Sequence, residues 1–193
     1  MHFSTFLKLL ASDTARRIKE VDKYRDQSGG FDYWRPLRDG IARHCAGNNT
    51  RQDAISFIEG NCADSNRQNC LTKFDVVADW LGKPPRKAFQ VPPRLLFRSP
   101  TGSFNVIVEP EIHFRTSSSN KVVSVYPTGS VSINADVAGA GIVLKRRCFG
   151  TMGDATFHVF DANKGRLFTA IPNVSERFLD ASITDLDAHF ASL

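Results

Sequence analysis

Cysteine is scarce in this 193-residue chain: Cys45, Cys62, Cys70 and Cys148 stand far apart, with no CxxC pair among them. That excludes a disulfide scaffold, a dithiol redox motif and a zinc knuckle. His44 beside Cys45, taken with Cys62 and Cys70, makes a four-ligand set only at irregular spacing, so buried free thiols are the expectation. No apolar run approaches the ~20 residues of a membrane helix, and the opening MHFSTFLKLL has no cationic region ahead of its apolar residues. A soluble cytoplasmic protein with no membrane partner is expected. Pro127-Thr128-Gly129-Ser130 and Gly139-Ala140-Gly141 fall short of any phosphate-binding glycine loop, and neither a GxSxG elbow nor an internal repeat occurs.

What the chain does have is apolar bulk. With 41% hydrophobic residues, including 15 Phe, 3 Tyr and 2 Trp, it can build a sizeable core, and its length suits one domain over 1–193. Three subregions follow from the pattern: a helical one at 1–82, a basic proline-rich connector at 83–93 and a sheet-containing one at 94–193. The net charge of +5 is uneven, because residues 1–98 carry 17 Lys and Arg against 11 acids while the remainder carry 8 against 9. Lys83, Arg86, Lys87, Arg94 and Arg98 form an acid-free run interleaved with Pro84, Pro85, Pro92 and Pro93, which hold it extended. Such a run is a candidate anion-binding segment for a phosphate backbone; the plainer reading is a solvated connector.

Phe3, Phe6, Leu7, Leu10, Ile18 and Val21 recur at helical steps and predict one amphipathic helix from Phe3 to Tyr24, stopping near Ser28-Gly29-Gly30. Further helices are expected at about Pro36–Ala46, at Thr50–Glu59 behind a capping box closed by Asp53, and from Ser65 or Asn66 to Gly82. The period then changes to alternation. Arg94–Arg98 and Ser103–Arg115 flank a turn at Ser99-Pro100-Thr101-Gly102. In the longer strand Phe104, Val106, Val108, Pro110, Ile112 and Phe114 share the core face, while Asn105, Ile107, Glu109, Glu111 and His113 share a polar one. Pro110 cannot donate to a ladder and implies an edge or a bulge. A strand at Lys121–Tyr126 follows, with Val123 and Val125 inward. Asn134 caps a helix from Ala135 towards Arg147, whose Gly139 and Gly141 permit close packing on the sheet, with a strand at Gly141–Lys145 as the alternative. A hairpin of Thr156–Asp161 and Arg166–Ala170 and a closing helix from Val174 to Phe190, broken near Ser182–Thr184, complete the chain. The fold class expected is α+β: a helical N-terminal half packed on a four- to five-stranded, largely antiparallel sheet with covering helices.

From Ser65 onward the order helix, three strands, helix, strand resembles the core of the PD-(D/E)xK, restriction-endonuclease-like superfamily. The resemblance implies an acid on the second core strand, often after proline, and a (D/E)-x-K triplet on the third, which together bind a divalent metal and activate water for phosphodiester cleavage. Pro110-Glu111 matches the first acid. At the triplet, Ser124 and Tyr126 stand where the carboxylate and the lysine would be, so the triplet is absent.

Glu109, Glu111 and His113 remain candidate metal ligands, since alternate strand residues point the same way roughly 7 Å apart, with Asp136 and Asp161 the candidates for a further acid. The plainer reading is a solvent-facing polar stripe. His158, alternating with apolar neighbours, reads as an ordinary strand histidine. No catalytic residue is assigned. The favoured function is a non-catalytic binding or regulatory module on a nuclease-like scaffold, with a nucleic-acid or protein partner and no cofactor. The alternative is a nuclease with a displaced site, using Mg²⁺ or Mn²⁺.

Overall fold

The computed structural model describes residues 1–26, 32–46, 49–82, 87–150 and 152–192. The expected stop at Ser28-Gly29-Gly30 and the residues Lys83 to Arg86 lie outside these. The first helical stretch is two helices rather than one, α1 (Phe3–Ala11) and α2 (Thr14–Asp26). Ser12 between them is extended, its hydroxyl donates back to the Lys8 carbonyl, and the Asp13 carboxylate accepts the Arg16 N–H, starting a new helix. Three helices follow within a residue or two of expectation: α3 (Arg35–Cys45), α4 (Arg51–Asn61) and α5 (Asp64–Leu81). The capping box of α4 is present, with Thr50 and Asp53 each satisfying the other's backbone N–H.

The expected connector contains a strand, β1 (Ala88–Gln90). Next comes the hairpin of β2 (Leu95–Arg98) and β3 (Asn105–Val108), its turn closed by Gly102 at φ 78. The single strand expected over 103–115 is broken at Glu109–Glu111, and β4 (Ile112–Arg115) leaves the hairpin for another sheet. Pro110 is the physical reason, since it has no N–H to carry a ladder through. Then come β5 (Asn120–Tyr126), α6 (Ala135–Phe149), the hairpin β6 (Ala155–Asp161) and β7 (Arg166–Phe168), and an unbroken α7 (Ser175–Ala191). Residues 135–149 are therefore helix, and the strand alternative falls.

The main sheet has the order β1-β4-β5-β6-β7, and β5 and β6 run parallel while the other pairs are antiparallel. The sheet is thus mixed, where a largely antiparallel one was expected. Helix α6 lies between β5 and β6 in sequence and carries the chain back to the end where β5 began, which is what a parallel pair needs.

Both faces of the sheet are covered. On one, Ile112, Phe114, Val123, Val125 and Phe160 meet Phe74, Val77 and Leu81 of α5 and apolar residues of α3 and α4. On the other, Val122, Tyr126, Phe157 and Val159 meet α1, α6 and α7. Phe104, Val106 and Val108 join this second core rather than facing α5, because their hairpin has left the main sheet. Nor does the helical half act as a unit: α1 and Val21 of α2 lie opposite α3–α5. Gly141 admits α1 rather than the sheet, since a Cβ there would lie 2.8 Å from Leu7 Cδ2 and 2.9 Å from Phe3 Cζ, and a Cβ on Gly139 would run into Ser175. No helix among the described residues is long and apolar enough to cross a membrane.

Candidate functional site

Glu111 sits just before β4, one step ahead of the Ile112–Val123 pair, which places it opposite Ser124 on the α6 side of the sheet. It is buried, and its Oε2 accepts the Val125 N–H at 2.7 Å. From α6 the Lys145 side chain enters the same region, wholly buried. Its ammonium donates to the His158 carbonyl and, at 3.3 Å, to Ser124 Oγ, and it lies 5.2 Å from the centre of the Phe3 ring. Glu111, Ser124 and Lys145 thus form a polar cluster inside an apolar layer: Lys145 bonds Ser124, which stands opposite Glu111 in the strand pairing, and no direct ion pair joins the acid to the base.

Burial pushes the Glu111 carboxyl up to about 7, against the pull of the Val125 N–H and of Arg38. Burial likewise pulls the Lys145 ammonium down to about 7, with Glu111 opposing. Arg38 of α3, whose charge acts on Glu111, is held by a two-pronged contact with Asp32. Asp32 and His2 lie in the wall of a groove of about 830 Å³ that also runs past Tyr24, Tyr33, Trp34 and Thr128. Burial and then Arg38 depress the His2 ring to about 4, so it is neutral near pH 7.

A pH dependence follows from Glu111. Between its ordinary value of 4.5 and its value of about 7 the folded chain binds a proton that the unfolded chain has released. Stability is therefore lost as pH rises through that window, by about 1.4 kcal/mol per pH unit at the steepest. His2 and His158, both depressed to about 4, contribute with the opposite sign between about 4 and 6.5. The expected result is in the difference: urea denaturation of wild type and Glu111→Gln from pH 5 to 6.5 should show the wild type losing stability relative to the variant. Parallel curves would mean that Glu111 titrates as a solvated acid.

The other sequence candidates go elsewhere. Glu109 turns to the surface and faces Arg94 at 3.5 Å. His113 is buried, with its ring nitrogens on the Val91 carbonyl and on Asn120 Oδ1. The solvent-facing stripe expected for this strand is thus corrected at two of its positions, because the α6 layer covers that face. Tyr126 is buried and its hydroxyl donates to the Val131 carbonyl at 2.8 Å. Asp161 accepts both the backbone and the side-chain N–H groups of Asn163, and Asp136 lies in the first turn of α6. His158 is buried, with Nε2 on Thr156 Oγ1. Among the described residues no three His, Cys, Asp or Glu side chains form a group that would hold a metal. A single carboxylate beside a hydroxyl and an ammonium does not fit Mg²⁺ or Mn²⁺, which want several oxygen ligands and no competing cation.

Of the basic run, Lys83 and Arg86 lie outside the described residues. Lys87 donates to the Leu81 carbonyl at the end of α5 and stands over the Phe114 ring. Arg94 and Arg98 flank Leu96 on one face of β2. Of the described cations, Lys87 thus directly precedes β1, Arg94 directly precedes β2 and Arg98 ends β2.

Sequence reasoning missed Lys145, which it named only as the end of an alternative strand at Gly141–Lys145. One signal was there: Lys145 falls three residues after Ile142 and seven after Ala138, on the buried stripe of α6, while Arg146 turns outward. No family model, curated protein or solved structure matches this chain.

Proposed function

We propose that the chain is a non-catalytic binding or regulatory module on a nuclease-like scaffold, in which the Lys145 ammonium takes the place beside Glu111 that a metal-dependent nuclease gives to a divalent cation. The observation that carries this reading is the fully buried Lys145, bonded to the His158 carbonyl and to the Oγ of Ser124, which stands opposite Glu111 in the strand pairing. A lysine in that position offsets the charge of the carboxylate without exchangeable ligands, and it offers no open coordination site for water or phosphate. Cys45, Cys62 and Cys70, buried as free thiols, suit a reducing compartment such as the cytoplasm.

Calorimetric titration with Mg²⁺ and Mn²⁺, and incubation of the full chain with single- and double-stranded DNA and RNA in the same ions, test this directly. No metal binding above that of Glu111→Gln and no cleavage are the expected results. Metal binding lost in Glu111→Gln, accompanied by cleavage that the variant also loses, would establish the displaced-site nuclease instead.

A further inference from the structure

Among the described residues no strand pairs with the outer edge of β2 in the β2–β3 hairpin. In an antiparallel pair, residues alternate between bonding each other and pointing their N–H and C=O groups away. Ile107 of β3 gives its N–H to the Met1 carbonyl at 2.8 Å, on the side away from β2. Its partner Leu96 must therefore direct its own N–H and C=O outward, and so, two residues on, must Arg98. The outer edge of β2 is an open ladder.

The side chains on this edge are unusual for solvent. Leu95 and Leu96 are 43% and 50% exposed, and Val91, just upstream, is 90% exposed. Such apolar edge strands are what proteins ordinarily cover or charge. On one face Leu96 lies between Arg94 and Arg98. Arg98 makes no side-chain hydrogen bond or ion pair among the described residues, and Arg94 has only the surface contact with Glu109. A second copy of the chain is a poor occupant. Antiparallel self-pairing over the full strand, centred on Leu96, would set Arg94 opposite the other copy's Arg98 at both ends, and like charges directly opposite are destabilising.

We propose that the outer edge of β2 docks an extended segment of a partner protein, which adds to the β2–β3 hairpin as a third strand and carries an acid–apolar–acid alternation matched to Arg94, Leu96 and Arg98. The ladder groups of Leu96 supply the main-chain bonds, and the two arginines select the acidic strand. The proposal does not depend on the fate of the Lys145 site.

The probe is the labelled peptide Thr-Thr-Glu-Val-Leu-Val-Glu-Thr-Thr, compared with its version carrying Lys for Glu, by fluorescence anisotropy on the full chain and by amide shifts in ¹⁵N spectra. The acidic peptide is expected to bind at least ~10-fold tighter than the basic one and to shift the Leu96 and Arg98 amides first. Arg94→Glu/Arg98→Glu should invert that preference, a rescue that an unfolded variant cannot produce. Leu96→Pro removes the outward N–H while sparing the β2–β3 bonds, and should abolish binding with the thermal melt retained. Equal affinity for both peptides, or none up to about 1 mM, overturns the proposal. So does a labelled oligonucleotide that shifts the same amides at lower concentration, or a dimer in sedimentation that Leu96→Pro dissociates.

Discussion

Replacing Lys145 by methionine is expected to cost about 1–3 kcal/mol of folding stability, because it leaves the buried His158 carbonyl and Ser124 hydroxyl without their donor and removes the positive charge that opposes the upward shift of Glu111. Methionine nearly matches the lysine in length and suits the apolar surroundings of Phe3, so the cost measures the lost charge rather than a cavity. It should also depend on pH. Without the ammonium the Glu111 carboxyl moves further up, and its neutral form is the one an apolar site tolerates. The penalty is therefore smaller at pH 5 than at pH 8. A double variant, Lys145→Met with Glu111→Gln, should recover part of the loss, since no charge is then stranded while the His158 carbonyl still lacks its donor. Urea denaturation of the three variants at both pH values is the measurement. A single-variant loss below about 1 kcal/mol, or no recovery in the double variant, would mean that the two groups do not balance one another.

Phe114→Ala is expected to cost about 3–5 kcal/mol and to lower the melting temperature by on the order of 10 °C. Phe114 is buried on β4 with Trp80 and Phe89 edge-on to its ring, 6.1 and 6.2 Å between centroids, and the Lys87 ammonium above it. Truncation therefore opens a cavity where β1, β4 and α5 meet. The denaturation midpoint should fall while its slope stays the same. An unchanged midpoint would mean that β4 presents its opposite face to α5.

Signals that act within a few residues were legible. Thr50 and Asp53 start α4 as their spacing requires, Asn134 caps α6 through the Val137 N–H, and Gly102 and Gly165 take the positive φ of their hairpin turns. The buried faces of β3 and β4 were legible too, because the period of two survives the interruption at Pro110. The division of α1 from α2 was harder, although its signal is local. The helical reading was carried across Ser12-Asp13, where Asp13 starts the new helix, and packing adds to that local signal: Phe3 and Leu7 close on Gly141, while Arg17 of α2 pairs with Asp185 of α7.

Of the candidate site, Glu111 was visible in the sequence, through the proline before it. Its burial and its partner were not. Whether an acid on an alternating strand faces water or a second layer depends on which helices cover that face, and α6 lies more than twenty residues downstream. Lys145 illustrates the same limit, since its burial depends on the sheet and on α1 covering that face of α6.

Local sequence was thus enough to determine the class of most elements, though not of β1 or, without an alternative, of α6, and with them most of the helix boundaries, the turns and many apolar residues of the core. These depend on backbone preference and side-chain period, which neighbours in the chain decide between them. Strand order, the parallel β5–β6 pair, the departure of β2–β3 from the main sheet and the meeting of Glu111 with Lys145 were decided only by tertiary structure. They depend on which apolar faces cover one another, a choice made between segments far apart in the chain, and the charge state of the buried pair follows from that choice.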